Sequence, residues 1–127
     1  MKNKFSSIAC LLVGIILIAF RISYTDKHAQ LPVKVTTWDA LGYYMYLPAQ
    51  FIYHDEKELK WLPKIDSVYA VTGGQLYQAN RHKNGNYVFK YLEGVSILQL
   101  PFFLIAHVYA LNSDYPADGF SAPYQYA

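Results

Sequence analysis

Cysteine is almost absent from this chain of 127 residues, and charged residues are scarce. The single cysteine, Cys10, excludes an internal disulfide and a zinc site built from cysteines. Only 16% of the residues are charged, against roughly a quarter in an average soluble domain. The net charge of +2 is too small for a protein that binds the phosphate backbone, so nucleic acid is not an expected partner.

Tyrosine, in contrast, is abundant. The chain has 13 tyrosines, and hydrophobic residues make up 54% of it. A tyrosine combines an apolar ring with a polar tip, which suits membrane interfaces and sugar-facing surfaces as well as ordinary cores. The length allows one domain at most.

The first long apolar run covers residues 5–20 and contains no charge. As a helix it is about 24 Å long, and extension to Tyr24 gives about 30 Å, the thickness of the hydrocarbon core of a bilayer. Lys2 and Lys4 precede the run, and Arg21 follows it. No small-x-small cleavage site follows closely, so we expect a retained transmembrane helix rather than a cleaved signal peptide.

The second apolar run covers residues 94–112 and is long enough for a second span. Gln99, Pro101 and His107 make it a poorer span than the first, and Pro101 kinks a helix. A helix that lies on the bilayer surface fits the pattern equally well. On its apolar helix, His107 is expected to be a hydrogen-bonded packing residue.

A helix is predicted to begin between the two runs. Thr36 and Thr37 offer a hydroxyl cap, and Asp39 supplies an acid in the first turn. Pro48 interrupts the helix, and the charged stretch 54–58 is expected to be an exposed helix face. The predicted apolar face comprises Leu41, Tyr44, Leu47, Phe51 and Ile52.

A β-hairpin is predicted next, because Asn84 and Gly85 separate two β-prone runs and both tolerate the positive φ of a type I′ turn. The hairpin brings Lys90 and Tyr91 to the start of the second apolar helix. Residues 113–127 are expected to form a loop that leads to a further membrane helix, with Asp114 and Asp118 as turn formers.

Asp39 is the first candidate for chemistry. Its carboxylate could act as a general base on an acceptor hydroxyl, or bind a divalent cation, or only stabilise its helix. Lys90 could meet a lipid phosphate at headgroup depth, or only mark the interface, with Glu93 as its nearest charge partner. The sequence contains no phosphate loop, no Gly-x-Ser-x-Gly, no His-Glu-x-x-His and no dinucleotide fingerprint.

These features together resemble the opening of a GT-C-class glycosyltransferase. The resemblance rests on the N-terminal apolar helix, on Trp-Asp-Ala-Leu-Gly-Tyr-Tyr-Met-Tyr-Leu-Pro-Ala at 38–49, and on Asn-Gly-Asn-Tyr-Val-Phe-Lys-Tyr-Leu-Glu-Gly at 84–94. Protein O-mannosyltransferases and lipid A aminoarabinose transferases are the most similar in pattern. It implies an integral membrane enzyme that moves a sugar from a polyprenyl-phosphate carrier to an extracytoplasmic acceptor with inversion.

The resemblance also implies roles for residues. Asp39 takes the place of the essential loop acid, as general base or metal ligand, and Lys90 that of the basic residue near the carrier phosphate. Tyr43, Tyr44 and Tyr91 are implied to bind substrate. The sequence departs from the family pattern at Ala40, where relatives often have a second acid. It also departs after Lys90, where some relatives have two prolines.

The expected fold is mainly α and integral to the inner or plasma membrane. A cytoplasmic tail at 1–4 precedes a transmembrane helix at 5–24. An extracytoplasmic loop with helices and a small β-hairpin follows at 25–93. A juxtamembrane or second transmembrane helix occupies 94–112, and 113–127 form a loop. The bilayer and a lipid-linked sugar donor are the expected partners, and this piece alone is expected to be inactive.

Two alternatives remain open from the sequence. One is a signal-anchored, non-enzymatic protein whose tyrosine-rich outer domain binds a glycan or a protein partner. The other is a soluble secreted domain, with a mature N-terminus near residues 22–30 after signal cleavage.

Overall fold

A computed structural model describes residues 4–27 and 34–127. The chain divides into two compact units, Met1–Val33 and Lys34–Ala127. In the first unit, helix α1 spans Lys4–Lys27, so it continues past the predicted end at residue 24. The apolar side chains between Phe5 and Phe20 are exposed, as expected for a helix that leaves its surface to lipid or to other helices.

The structure is mainly helical, with 57% helix, which confirms the mainly α prediction. Over the described residues, its one sheet is a two-stranded hairpin. The elements in chain order are α2 (Trp38–Tyr44), α3 (Tyr46–Pro48), a π-helix (Ala49–Tyr53), α4 (Leu62–Tyr69), β1 (Ala79–Arg81), β2 (Tyr87–Phe89), α5 (Gly94–Leu111) and α6 (Ala122–Tyr126).

The helix predicted from Trp38 forms, but it is segmented. Pro48 ends α3, and the wider π-helix takes over until His54, which has a left-handed φ of 50°. The predicted hydroxyl cap is wrong. Thr37 has the extended backbone of a cap residue, but its hydroxyl donates to the Lys34 carbonyl at 3.4 Å. The Thr36 hydroxyl bonds instead to Gln125.

The core of the second unit lies where α5 packs against α2, α3 and α6. One face of α5 is buried, and its buried residues recur at helical spacing: Ser96, Phe103, Ala106 and Ala110. The small residues allow the helices to approach closely, and the Ser96 hydroxyl donates to the carbonyl of Tyr43.

His107 is a hydrogen-bonded packing residue, as predicted. Its Nδ1 lies 2.6 Å from the Tyr124 hydroxyl, and its ring stacks on Phe103 with centroids 6.0 Å apart. Among the described residues, Gly94–Leu111 is the one helix long and apolar enough to cross a membrane, by length and composition only. The apolar stretch Phe5–Arg21 of α1 is shorter than this limit.

The hairpin pairs β1 and β2 antiparallel, with Ala79 opposite Phe89 and Arg81 opposite Tyr87. The predicted type I′ turn is wrong, because Gly85 has a φ of 89° but Asn84 is not in the left-handed region. The side chain of Asn84 explains the difference, since its Oδ1 accepts the backbone N–H of Asn86 at 3.1 Å and closes the turn locally.

Two aspartates shape the remaining loops. The stretch 54–58 is not a helix face as predicted, because the Asp55 carboxylate accepts the backbone N–H groups of Glu58 and Lys60 at 2.8 Å and turns the chain. Asp118 is a turn former, as predicted. Its Oδ1 accepts the N–H groups of Phe120 and Ser121 at 2.8 and 2.9 Å.

Tyrosines hold the Asp118 turn against the core. Tyr69 donates to Asp118 Oδ2 at 2.6 Å, and Tyr53 donates to the Asp118 carbonyl at 2.9 Å. The buried Tyr44 donates to the carbonyl of Gly119 at 2.5 Å. The turn places Phe120, which is 1% exposed, in the centre of the core.

Gln125 on α6, near the end of the second unit, forms hydrogen bonds to the start of the same unit. Its Oε1 accepts the backbone N–H groups of Val35 and Thr36 at 2.8 and 3.2 Å. Its Nε2 donates to the Phe120 carbonyl at 3.1 Å. The amide is buried, so these bonds are shielded from competition by water.

Candidate functional site

Asp39, the first candidate from the sequence, lies in the first turn of α2 with its side chain exposed to solvent. Two tyrosine hydroxyls donate to its Oδ1, that of Tyr77 at 3.0 Å and that of Tyr91 at shorter range. These tyrosines come from the two sides of the hairpin. The fold therefore brings three distant segments together at one carboxylate.

The hydrogen bonds favour the ionised form of this group. They lower the pKa of Asp39, with Tyr91 as the largest cause and Tyr77 as the second, because donated hydrogen bonds stabilise the carboxylate. The same bond raises the pKa of Tyr91 to about 12. At neutral pH the site therefore holds an ionised carboxylate and a protonated phenol.

Lys90 lies beside the same two tyrosines. Its Nζ is 5.6 Å from the ring centroid of Tyr77 and 5.7 Å from that of Tyr91, which is the distance of cation–π contacts. The positive charge also contributes to the lowered pKa of Asp39. The fold thus brings the two charged residues predicted from the sequence, Asp39 and Lys90, into one cluster.

Glu93 is not the partner of Lys90, in contrast to the prediction. Its Oε1 accepts the side-chain amide of Gln50 at 2.7 Å. The ammonium of Lys90 is therefore held by aromatic rings, and its side chain remains exposed.

The other two tyrosines predicted to bind substrate, Tyr43 and Tyr44, lie in different places. Tyr43 lies in the cluster, with its ring edge against Tyr91 at a centroid distance of 4.7 Å. Tyr44 does not, which corrects its assignment to a substrate site. Consecutive residues on a helix point about 100° apart. Tyr44 therefore faces the core, where 6% of it is exposed.

Gly42 makes room for the cluster. It is buried on α2, and a Cβ at this position would overlap the ring of Tyr91. A larger residue would therefore push Tyr91 away from Asp39.

Sequence reasoning missed Tyr77 and Gln78. Gln78 is 1% exposed, and its Nε2 donates to the Trp38 carbonyl at 3.0 Å. Its Oε1 accepts the N–H of Tyr77 at 3.1 Å. Its backbone carbonyl accepts the N–H of Lys90 at 2.9 Å, which continues the hairpin ladder beyond β1 and β2. One buried glutamine thus fixes the backbone beside three site residues.

The place of Tyr77 beside Tyr91 follows from the strand register. Extension of the observed strand register, with Ala79 opposite Phe89, places position 77 opposite position 91. Since residues that face each other across an antiparallel pair lie side by side, the register alone brings Tyr77 to Tyr91. The predicted two-residue turn at Asn84 and Gly85 would instead have placed position 77 opposite position 92, so the pair follows from the observed register and not from the predicted one.

A cavity of about 390 Å³ adjoins the cluster, and its lining includes Tyr77 of the cluster and the neighbouring Trp38. The ring centroids of these two residues are 6.5 Å apart, and Trp38 is 77% exposed. The backbone of Trp38 has a left-handed φ of 54°, a conformation that costs roughly 1–3 kcal/mol outside glycine. The bond from Gln78 to the Trp38 carbonyl helps to hold this conformation.

A divalent cation at Asp39, one of the sequence-based expectations, gains no further ligands in the described part of the chain. There, no three or more His, Cys, Asp and Glu side chains form a group that could hold a metal ion. The neighbours of Asp39 are hydroxyls, aromatic rings and an ammonium group.

Comparison with protein family models, with curated proteins and with solved structures gives no match to this chain. The functional argument therefore depends on the cluster itself. An exposed, ionised carboxylate can accept the proton of an alcohol, and a nearby ammonium can bind an anionic group.

Proposed function

We propose that this chain is part of a membrane glycosyltransferase that moves a sugar from a polyprenyl-phosphate carrier to an extracytoplasmic acceptor. The observation that carries the proposal is the exposed Asp39 carboxylate, held by two phenols next to the Lys90 ammonium. This pair supplies the two charges that such a transfer needs, one for the attacking hydroxyl and one for the leaving phosphate.

In the proposed reaction, the hydroxyl of the acceptor donates its hydrogen bond to Asp39. The hydroxyl oxygen attacks the anomeric carbon and forms a new C–O bond, while the bond from that carbon to the carrier phosphate oxygen breaks. The electron pair leaves with the phosphate, whose charge Lys90 offsets, and Asp39 takes the acceptor proton. Attack from the face opposite the phosphate inverts the anomeric centre.

The lowered pKa of Asp39 makes it a weak base while both tyrosines donate to it. Both tyrosine hydroxyls donate to Oδ1, so the acceptor hydroxyl can donate to Oδ2 while they stay bound. Proton transfer would accompany formation of the new bond instead of preceding it.

We further propose that α1 anchors the chain in the inner or plasma membrane, with residues from 25 onward outside the cell. Helix α5 would lie along the membrane surface, because its core-facing side is already covered by the second unit. Its opposite side exposes large apolar residues, including Leu98 at 75% and Ile105 at 68%, which water would not favour but lipid would.

The test is Asp39→Asn in the natural gene product, measured in membranes supplied with a polyprenyl-phosphate-linked radioactive sugar. Loss of a general base predicts a fall in transfer of about 100-fold or more, with unchanged amounts of protein in the membrane. Asp114→Asn is the matched control, since Asp114 is also exposed and should leave transfer unchanged. Near-normal transfer by Asp39→Asn would remove Asp39 from the mechanism.

The proposed orientation has its own test. Replacement of Cys10 by Ser and of the exposed Ala40 by Cys leaves one thiol beside Asp39. A membrane-impermeant maleimide added to intact cells should label this thiol. Labelling that requires cell lysis would place Asp39 in the cytosol and overturn the transferase proposal.

A second candidate is a signal-anchored protein that binds a glycan without catalysis. The observation in its favour is the exposed Trp38 at the mouth of a cavity. Glycan binding without transfer by the natural gene product would favour this candidate.

A further inference from the structure

The cavity beside the Asp39 cluster has an aromatic side to which the proposed reaction steps assign no role. Trp38 presents its indole to solvent, and the ring of Tyr77 lies next to it at an interplanar angle of 53°. Tryptophan is rarely exposed to this extent, since burial of the indole would stabilise the fold. The flat faces of such rings stack on the C–H surface of a ligand.

The other side of the cavity is polar. Thr37, Thr72 and Gln75 contribute to its lining, and Gln75 is exposed. Lys34 is the one charged residue of the lining, and no carboxylate belongs to it among the residues that the structure describes. A ligand that matches this composition has an apolar face and several hydroxyl groups and carries little charge.

The walls of the cavity are fixed before any ligand binds. The Asp66 carboxylate accepts both the N–H and the hydroxyl of Thr72 at 2.8 Å. Trp38 and Ala70, which both line the cavity, have left-handed φ values of 54° and 49°. Backbone strain of this type persists where the surrounding structure enforces it and is concentrated at functional sites.

From these observations we infer that the cavity binds a neutral sugar unit, stacked on Trp38 and hydrogen-bonded by the polar side. Its volume of about 390 Å³ falls within the range of roughly 300–1,000 Å³ for small-molecule sites. Tyr77 joins the cavity to Asp39, because its ring lines the cavity and its hydroxyl donates to the carboxylate. The role of the bound sugar as the acceptor of the transfer rests on the proposed function.

The experiment measures binding separately from transfer. The chain has two tryptophans, of which Trp38 is exposed and Trp61 is 7% exposed. In a zwitterionic detergent without a sugar headgroup, neutral methyl glycosides are titrated against the full chain that carries Trp61→Phe. Trp38 is then the only indole, and its emission should change with saturation at millimolar glycoside.

Two variants of the otherwise unaltered chain locate the site, with binding followed by the amide resonance of Gly73 in two-dimensional NMR. Trp38→Ala should abolish binding, and Gln75→Ala should weaken it several-fold. Val68→Ala changes an exposed residue outside the cavity and should bind as the parent does. The dispersion of the amide resonances in the same spectra reports whether each variant is folded.

The outcomes separate this inference from the proposed function. Saturable binding that is lost in Trp38→Ala supports the sugar site even if the natural gene product transfers no sugar. Absence of a saturable change with every glycoside overturns the sugar site, even if Asp39→Asn abolishes transfer. Equal binding by a folded Trp38→Ala variant also overturns it.

Discussion

The hydroxyl of Tyr91 donates a hydrogen bond to the carboxylate of Asp39, although 52 residues separate the two along the chain. The bond joins the first turn of α2 to the segment that leads into α5. It also moves the pKa values of the two groups apart, since it lowers the pKa of Asp39 and raises that of Tyr91. Its removal should therefore change the titration of the site.

Tyr91→Phe is expected to raise the pKa of Asp39 toward its ordinary value of 3.8. Tyr77→Phe should raise it less, because Tyr77 is the second cause of the shift. The ¹³C resonance of the Asp39 carboxyl, followed during an acid titration of the labelled chain, gives the value directly. Tyr87→Phe, a change in the same hairpin, should leave the value unchanged, and an unchanged value in Tyr91→Phe would contradict the prediction.

The sign of the stability effect follows from the same shift. A carboxyl whose folded-state pKa is lowered contributes stability above its unfolded-state pKa, near 3.8. This contribution disappears as the pH falls through the lower folded-state value. Acid unfolding of Tyr91→Phe should accordingly lose the part of this pH dependence that the Tyr91 hydrogen bond causes.

Gly42→Ala should destabilise the second unit, although alanine in a helix normally gains about 1 kcal/mol over glycine. The added Cβ overlaps the ring of Tyr91 and must displace it from Asp39. Thermal unfolding followed by circular dichroism gives the change in midpoint. Gly94→Ala, a helical glycine with open space around it, is the matched control and should unfold at or above the parental midpoint.

Asp118→Ala should lower the free energy of unfolding by about 3 kcal/mol, because its carboxylate accepts two backbone N–H groups and the Tyr69 hydroxyl. Asp114→Ala removes an exposed carboxylate four residues earlier and should change the free energy by less than about 0.5 kcal/mol. Urea unfolding of the two variants gives the comparison. Equal effects of the two changes would show that the Asp118 turn does not stabilise the core.

Alkaline pH should destabilise the second unit. Burial raises the pKa of Tyr53 and of Tyr124 to about 12, from an ordinary value of 10.0. A group whose folded-state pKa is raised contributes stability that is complete below the unfolded-state value and is lost as the pH rises through the folded-state value. The stability should therefore fall between about pH 10 and about pH 12.

Urea unfolding at several values of alkaline pH, followed by circular dichroism, measures this loss. Tyr53→Phe removes one of the titrating groups and should make the fall less steep. Stability that stays constant across the interval would contradict the assignment of these tyrosines to a buried network.

The sequence predicted the elements whose signals are local. The hairpin was found from Asn84 and Gly85, the helix start from the residues around Asp39, and the packing role of His107 from its apolar helix. Its failures are also local in origin. Side chains at Asn84 and Asp55 bond to nearby backbone amides and alter the turn or end the helix, which periodicity does not reveal.

The candidate site was predicted in part, since Asp39, Lys90, Tyr43 and Tyr91 lie together but Tyr44 does not. Choosing between Tyr43 and Tyr44 requires knowledge of which side of α2 meets the core. Gln78 could not have been predicted, because a buried amide is recognised by its partners and the acceptor of its Nε2 is 40 residues away at Trp38. The catalytic role of Asp39 and the membrane location of α1 and α5 stay predictions.

The Gln125 amide has a consequence for how the second unit could be carried by a larger assembly. Its bonds to Val35 and Thr36 mean that the chain enters this unit beside its last helix. A unit whose two ends lie close together can be inserted between two neighbouring helices without increasing the distance between those helices. Any segment attached after α6 would therefore begin close to Val35 and Thr36, where the chain enters the unit.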